Sequence, residues 1–301
     1  MANFGYMKKI ILILALFLAL PLTGNAKKRA LLVGISSYRA NDRTAWTNIH
    51  GKEDVDSLAP ALIKKGFSVT TLVNEQATYQ GITSSLKKLI VETKKGDVVF
   101  IHFSCHGQPV EDGLLKGFPK DEKDGYDEAI VPIDAGRVYS LNGYKGEKHL
   151  TDDELHGYYR SLRTKIGPQG ILYVTIDACH AGKSARGGGL ETIRGTNDVL
   201  SSKSDKRYNP DEDNIKHYTI ENGKELCPAL FLEACHSYQW NTEIRINGKE
   251  FGALSYNIWQ ALNTMPSFAK NAREFEVKIR KSAMEKGHWP RTQDLVTESS
   301  F

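Results

Sequence analysis

Short apolar runs and helical stripes alternate along the first half of the chain. Residues 30–35 form an apolar run ending beside Gly34, which predicts a first buried strand. Val55, Leu58 and Leu62 then recur at helical spacing, a helix that Pro60 should kink or restart and that Gly66 should close. Residues 67–73 predict a second strand, and Thr78 is placed to cap a helix burying Ile82, Leu86, Leu89 and Ile90. Residues 97–103 predict a third strand. Strands alternating with helices in so short a span imply βαβ units and a parallel sheet. From Gly107 to Gly146 periodicity fades and acidic residues accumulate, which predicts a surface excursion. The sequence Thr151-Asp152-Asp153-Glu154 is a capping box, opening a helix that buries Leu155, Tyr158 or Tyr159, and Leu162. Residues 171–176 and 229–234 predict a fourth and a fifth strand. Two terminal helices follow, one on Phe251, Leu254, Ile258 and Leu262, the other on Phe268, Ala272, Phe275 and Ile279. Between strands four and five, residues 183–225 are polar and carry Gly187-Gly188-Gly189, a loop long enough to be functional.

The extreme N-terminus has a different pattern. Lys8 and Lys9 precede an unbroken apolar run at 10–20, then Pro21, and Gly24 and Ala26 put small residues where a signal peptidase reads. Residues 1–26 are therefore expected to be a signal peptide, too short in its apolar part to be a comfortable membrane span. No other run is apolar enough to span. The expected mature chain, 27–301, has no internal repeat or linker and is expected to be one domain and a monomer, exported to the periplasm or secreted. Its charge falls from +4 to +2, because the leader holds two lysines and no acid. With no basic run interleaved with aromatics, nucleic acid is not an expected partner. Four cysteines in an exported chain suggest disulfides, but Cys227 and Cys235 flank an apolar run that would hold them ~26 Å apart if extended. Cys105 and Cys179 end different strands and are the pair that could meet.

Two predicted strand ends carry cysteine and histidine together, Ser104-Cys105-His106-Gly107 and Asp177-Ala178-Cys179-His180. A thiol becomes a nucleophile when an imidazole holds it as thiolate. Neighbouring parallel strands lie about 4.8 Å apart, so His106 and Cys179 can face one another, with the amides of Gly107 and Cys179 as an oxyanion hole. Glu233-Ala234-Cys235-His236 repeats the pattern, so spacing alone does not choose the acting cysteine. The set His102, Cys105, His106, Cys179, His180, Cys235 and His236 also suits zinc chemically, although no C-x-x-C pair is present.

These motifs resemble the His-Gly and Asp-x-Cys-His-x-Gly pair of the caspase-like cysteine peptidases, in the metacaspase and prokaryotic caspase-homologue branch. The acidic stretch 121–132, the Asp152-Asp153-Glu154-Leu155 helix start and the segments 233–239 and 251–254 extend the resemblance over most of 28–262. It implies a caspase–haemoglobinase fold, an α/β architecture with a mostly parallel sheet sandwiched between helices. It implies an exported cysteine endopeptidase with Cys179 as nucleophile and His106 as its partner. Asp177 would floor the S1 pocket, with Ser104 beside it and Asp54 as a third wall. A carboxylate there selects protein or peptide substrates with Arg or Lys at P1, since a buried cation needs a paired charge. Cys235 falls on a pocket-lining loop. No cofactor is required by this reading. Calcium-dependent members use carboxylates that would fall on Asp152, Asp153 and Asp124, but Arg186 stands where a further acid is expected, which weighs against calcium. Lys203, Lys206 and Arg207 are the expected self-cleavage points of the long loop. A non-catalytic caspase-like binding or scaffold module is the rival reading, and a zinc-binding protein built on the clustered Cys and His the third.

Overall fold

A computed structural model of the chain describes residues 26–38, 46–115, 117, 120, 125–179, 192–203, 208, 220–268 and 272–301. The expected signal peptide, apart from Ala26, lies outside these residues, as do Asp124, His180, Arg186, Lys206 and Arg207.

Strands β1 (Lys28–Gly34), β2 (Phe67–Val73), β3 (Val98–Ser104), β4 (His106–Glu111), β5 (Tyr126–Val131), β6 (Leu150–Thr151), β7 (Ile171–Asp177), β8 (Ala229–Glu233), β9 (Ile244–Ile246), β10 (Lys249–Phe251) and β11 (Val296–Ser299) follow in chain order. Helices α1 (Gly51–Lys64), α2 (Tyr79–Glu92), α3 (Asp152–Ile166), α4 (Ala253–Thr264) and α5 (Ala272–Ala283) lie between them. The central sheet runs β11-β8-β7-β3-β1-β2, with every pair parallel except β11 against β8.

Alternation along the strands divides the interior in two. Leu31, Val33, Val99, Ile101, Phe103, Leu172 and Val174 pack with Ile82, Leu86 and Leu89 of α2 and Leu155, Leu162 and Ile166 of α3. Ala30, Leu32, Phe100 and Tyr173 face the other way, against Val55 and Leu58 of α1, Leu254 and Ile258 of α4, and Phe275 and Ile279 of α5. Each such aliphatic or aromatic side chain contributes about 1.5–3 kcal/mol by leaving water. Those two faces also sort the polar ends of the strands. His102, Ser104 and Asp177 continue the face of Phe100 and Tyr173, under the starts of α1 and α4.

Several expectations are corrected here. Pro60 sits inside α1 without ending it. Burial of Val55, Leu58, Ala61 and Leu62 on the sheet outweighs the ~3 kcal/mol that an interior proline costs. The expected surface excursion after Gly107 contains β4 and β5, antiparallel to one another and buried at every position. Their charged residues Glu111, Asp127 and Glu128 are buried too, which is why hydropathy concealed the strands. The C-terminal strand β11 and the β9–β10 hairpin were likewise unmarked by any apolar alternation. Among the described residues no helix is long and apolar enough to cross a membrane.

Candidate active site

Strands β1, β3 and β7 end side by side, with Gly34 in register with Ser104 and Ser104 with Asp177. The chain departs in opposite directions from β1 and β3, so this is the crevice where parallel sheets gather ligands. His106 and Cys179 each follow a strand end by two residues.

His106 is held by its surroundings. Its ring lies between Trp46 (centroids 5.0 Å apart, stacked) and Tyr38 (4.9 Å, tilted). Nε2 donates to the Thr47 carbonyl at 2.8 Å, and the backbone amide donates to the Tyr38 hydroxyl, which itself donates to the Val131 carbonyl. Burial pushes the imidazole pKa down to about 4, only partly offset by the Thr47 carbonyl. The ring is thus neutral at pH 7 with its proton on Nε2, and Nδ1 is buried without a hydrogen-bond partner among the described residues. A neutral imidazole with a free lone pair is a general base.

Cys179 is fully buried, and its Sγ donates to the Gln239 carbonyl at 2.7 Å. Cys235 adjoins it: Cys235 Sγ lies 3.7 Å from the same carbonyl, and a hydrogen bond to Cys179, together with burial, raises its pKa well above the usual thiol range. The near-copy of the Asp-Ala-Cys motif therefore converges on the first cysteine. Cys105 does not meet Cys179. It belongs to the core cluster on the opposite face of the sheet, and burial raises its pKa to about 12. All four cysteines are free.

The backbone amides of Gly107 and Cys179 converge on a single acceptor, the carbonyl oxygen of Arg194, at 3.2 and 3.0 Å. The side chain of Arg194 is completely buried and extends into the space between Asp54, Ser104 and Asp177. Nη2 bonds Asp54 at 2.8 Å, Nη1 bonds Ser104 Oγ at 2.6 Å, and Nη1 lies 3.7 Å from Asp177 Oδ1. A third carboxylate, Glu243, takes Nε at 3.1 Å and Nη2 at 2.8 Å through one oxygen, while its other oxygen binds His50 Nδ1 at 2.6 Å.

The walls are themselves anchored. Asp177 accepts from Asn241 Nδ2 and, at the start of α4, from the Ser255 amide and hydroxyl. Burial alone would raise its pKa, but Arg194 and these donors outweigh that and hold it below the usual carboxylate value. Asp54 goes the other way. Burial lifts it to about 7, with Arg194 opposing and Asp177 adding to the rise. The guanidinium is held charged: its own burial is outweighed by Asp54, Asp177 and Glu243. Space is as specific as charge, since a Cβ at Gly252 would stand 2.2 Å from Asp177 Oδ2 and 2.5 Å from Arg194 Nη1.

Sequence reasoning named Asp54, Ser104 and Asp177 as pocket walls, and the three side chains do meet around one cation. It missed Glu243, Gly252, Asn241, Ser255 and Arg194. Glu243 falls four residues past the recognised 233–239 segment. Arg194 stands in a polar stretch without periodicity, which gives no sign that one of its basic residues is buried. Lys203, 63% exposed, is ion-paired with Glu111 at 3.0 Å. Lys206, Arg207 and Asp124 lie outside the described residues.

Among the described residues the group of three close ligand atoms is His50, Glu243 and Glu250, while Asp124, the third acid expected for calcium, lies outside them. His180 of the suggested zinc set lies outside the described residues, and two of the others sit apart. His102 bonds Thr175 and Ser255 within the core, whereas Cys105 lies across the sheet.

A buried thiol and a neutral imidazole thus follow neighbouring strand ends of an α/β sheet, and two backbone amides share one carbonyl. The family is shown independently: residues 27–286 match the model of the caspase domain, and the chain belongs to that family. It is 27% identical over 284 residues to Metacaspase-1 of Lodderomyces elongisporus, covering 81% of this chain and 59% of that protein. To Metacaspase-1 of Candida albicans it is 25% identical over 299 residues, with 83% and 62% covered, so it spans less than two thirds of either. A crystal structure of a protein from Geobacter sulfurreducens superposes with a TM-score of 0.61 at 20% identity, covering 91% of this chain and 93% of that one, a likeness of fold. The fold is the caspase–haemoglobinase fold.

Proposed function

We propose that the protein is an exported cysteine endopeptidase that cleaves after Arg or Lys, without a required metal. Cys179 is the nucleophile, His106 Nδ1 takes its proton, and the amides of Gly107 and Cys179 hold the oxyanion. Asp177, Asp54, Ser104 and Glu243 take the P1 cation. One observation carries this reading. A buried guanidinium lies among three carboxylates while the carbonyl of the same residue accepts from both amides. An acyl-transfer site needs both contacts from a single substrate residue, and a basic one supplies the charge.

The steps follow from the geometry. Sγ leaves the Gln239 carbonyl and attacks the scissile carbon, and the leaving amine takes its proton from His106. Water then hydrolyses the thioester with His106 as base. A neutral base at pH 7 is what burial of His106 provides. Turnover of fluorogenic arginyl and lysyl peptides under reducing conditions, with and without calcium, tests the proposal. Activity should vanish in Cys179→Ala, survive in Cys235→Ala and be indifferent to chelators. Folded protein that cleaves no basic peptide would return the scaffold reading to first place, and stoichiometric zinc in the purified protein would favour the third. Export is tested by the N-terminus of the mature chain, expected at Lys27.

A further inference from the structure

The parallel strands all start at one end of the sheet, about 20 Å from the crevice where β1, β3 and β7 finish. This base is made of the start of β1, the ends of α1, α2 and α3, and the turns that follow them. Its parts are tied together. Lys27 donates its amide to Asp97 Oδ1 at 2.8 Å and accepts from the Val98 amide at 2.9 Å. The Gly96 amide donates to the Ile166 carbonyl at 2.9 Å, which joins the end of α3. Lys28 Nζ reaches the Lys65 carbonyl at 3.0 Å, which joins the end of α1.

The base is cationic and apolar at once. Lys27, Lys64, Lys94, Lys95 and Lys165 are exposed there, and none enters an ion pair among the described residues. The neighbouring acids are already engaged. Asp97 takes Arg29 Nε at 3.1 Å and the amides of Lys27 and Lys94, and Glu92 lies 3.8 and 3.9 Å from Arg29 and Lys88. Glu274 is half-buried near Tyr173. Because the expected mature chain is only +2, five unpaired lysines on one face leave the remainder net acidic. Lysines at helix ends have an ordinary reason, the negative end of the helix dipole. That reason does not cover the apolar side chains among them. Ile63 and Val91 stand 58% and 78% exposed in the last turns of α1 and α2. Phe301, 62% exposed, lines a groove of 520 Å³ with Tyr173, Phe268 and Arg273.

We infer that this base is a docking face for bilayers that carry anionic phospholipid. The lysines meet the headgroups, and Ile63, Val91 and Phe301 reach the boundary of the acyl chains. The path of the chain agrees. Residues 10–20 are an unbroken apolar run, and the six steps from Leu20 to Ala26 reach at most about 22 Å. That run, inserted in a bilayer, draws the base and not the crevice to the surface. With the base docked, the crevice opens away from the membrane. A soluble polyanion would meet the lysines but leave the apolar tips in water, which makes the bilayer the better fit. The inference concerns where the molecule sits and stands apart from the reaction proposed above.

The test is co-sedimentation of the chain beginning at Lys27, which holds every described residue but Ala26, with phosphatidylcholine vesicles that contain about one third phosphatidylglycerol or none. The protein should pellet with the anionic vesicles, stay in solution with the neutral ones, and be released by high salt. Each lysine near an anionic surface is worth roughly fivefold in binding, so Lys64→Gln, Lys94→Gln, Lys95→Gln and Lys165→Gln together should weaken it at least about 100-fold. The same loss of charge placed elsewhere, Lys145→Gln, Lys249→Gln, Lys281→Gln and Lys286→Gln, should weaken it less than about tenfold. Ile63→Ser with Val91→Ser leaves the charge untouched and should weaken it about tenfold. All of these side chains are exposed, so the fold carries the substitutions. No pelleting with anionic vesicles, equal binding to neutral ones, or equal losses in the two lysine quadruples would overturn the inference. So would an Ile63→Ser, Val91→Ser protein that binds as the wild type does, which would assign the face to a soluble polyanion.

Discussion

In the proposed pocket Glu243 is the carboxylate that sequence reasoning did not supply, and it makes a sharp prediction about substrate choice. One of its oxygens takes both Nε and Nη2 of the guanidinium, at 3.1 and 2.8 Å, and its side chain is 2% exposed. Glu243→Gln keeps the shape and one acceptor but removes the charge. A buried charge-assisted hydrogen bond contributes about 1.5–3 kcal/mol, with Asp54 and Asp177 left to hold the cation. At 1.4 kcal/mol per tenfold, kcat/KM for an arginyl peptide should fall about 10–150-fold. A lysyl ammonium has no Nε–H to lose, so the same substitution should cost a matched lysyl peptide less than about tenfold. The assay compares steady-state kcat/KM for the two peptides on wild type and variant. Equal losses for both peptides, or none for arginine, would refute the assignment of Glu243 to the guanidinium.

Three further outcomes are expected. Gly252→Ala should fold yet lose turnover of arginyl peptides at least 100-fold, because the new methyl stands where Asp177 and the guanidinium meet; retained turnover would show that the cation binds elsewhere. Tyr38→Phe removes the hydroxyl between the Val131 carbonyl and the His106 amide, and kcat should drop about tenfold with KM nearly unchanged, in a steady-state comparison of the two proteins. His102 is buried and neutral, its pKa pushed by burial down to about 4 with Asp177 partly opposing. Its folded pKa lies below the unfolded one, so unfolding takes up a proton and stability falls as pH drops from about 6.5 to 4. At pH 4.5 that loss is about 2–3 kcal/mol. Chemical denaturation at pH 7 and 4.5 should show His102→Gln losing less stability over that interval than wild type by this amount, and parallel losses would remove histidine burial as the cause.

The alternation of apolar runs and helical stripes was enough to lay out β1, β2, β3, β7 and β8 with their helices, because those elements bury continuous hydrocarbon and hydropathy registers it. The motifs at Cys179, His106 and Asp177 were readable for a related reason: Asp177 ends a strand and the other two follow strand ends by two residues, so backbone continuity fixes their place. Tertiary structure decided the rest. The strands β4 and β5 bury Glu111, Asp127 and Glu128, so their pattern is polar although their positions are interior. Glu243 and Gly252 reach the pocket only through the path of the chain after β8, and Cys235 reaches Cys179 only because the segments after β7 and β8 both turn onto the Gln239 carbonyl. Arg194 is the extreme case. Nothing local distinguishes it from other basic residues of a polar loop, since its burial depends on carboxylates contributed from positions 54, 177 and 243. Charge complementarity across so many residues is a property of the fold, and no periodicity along the chain records it.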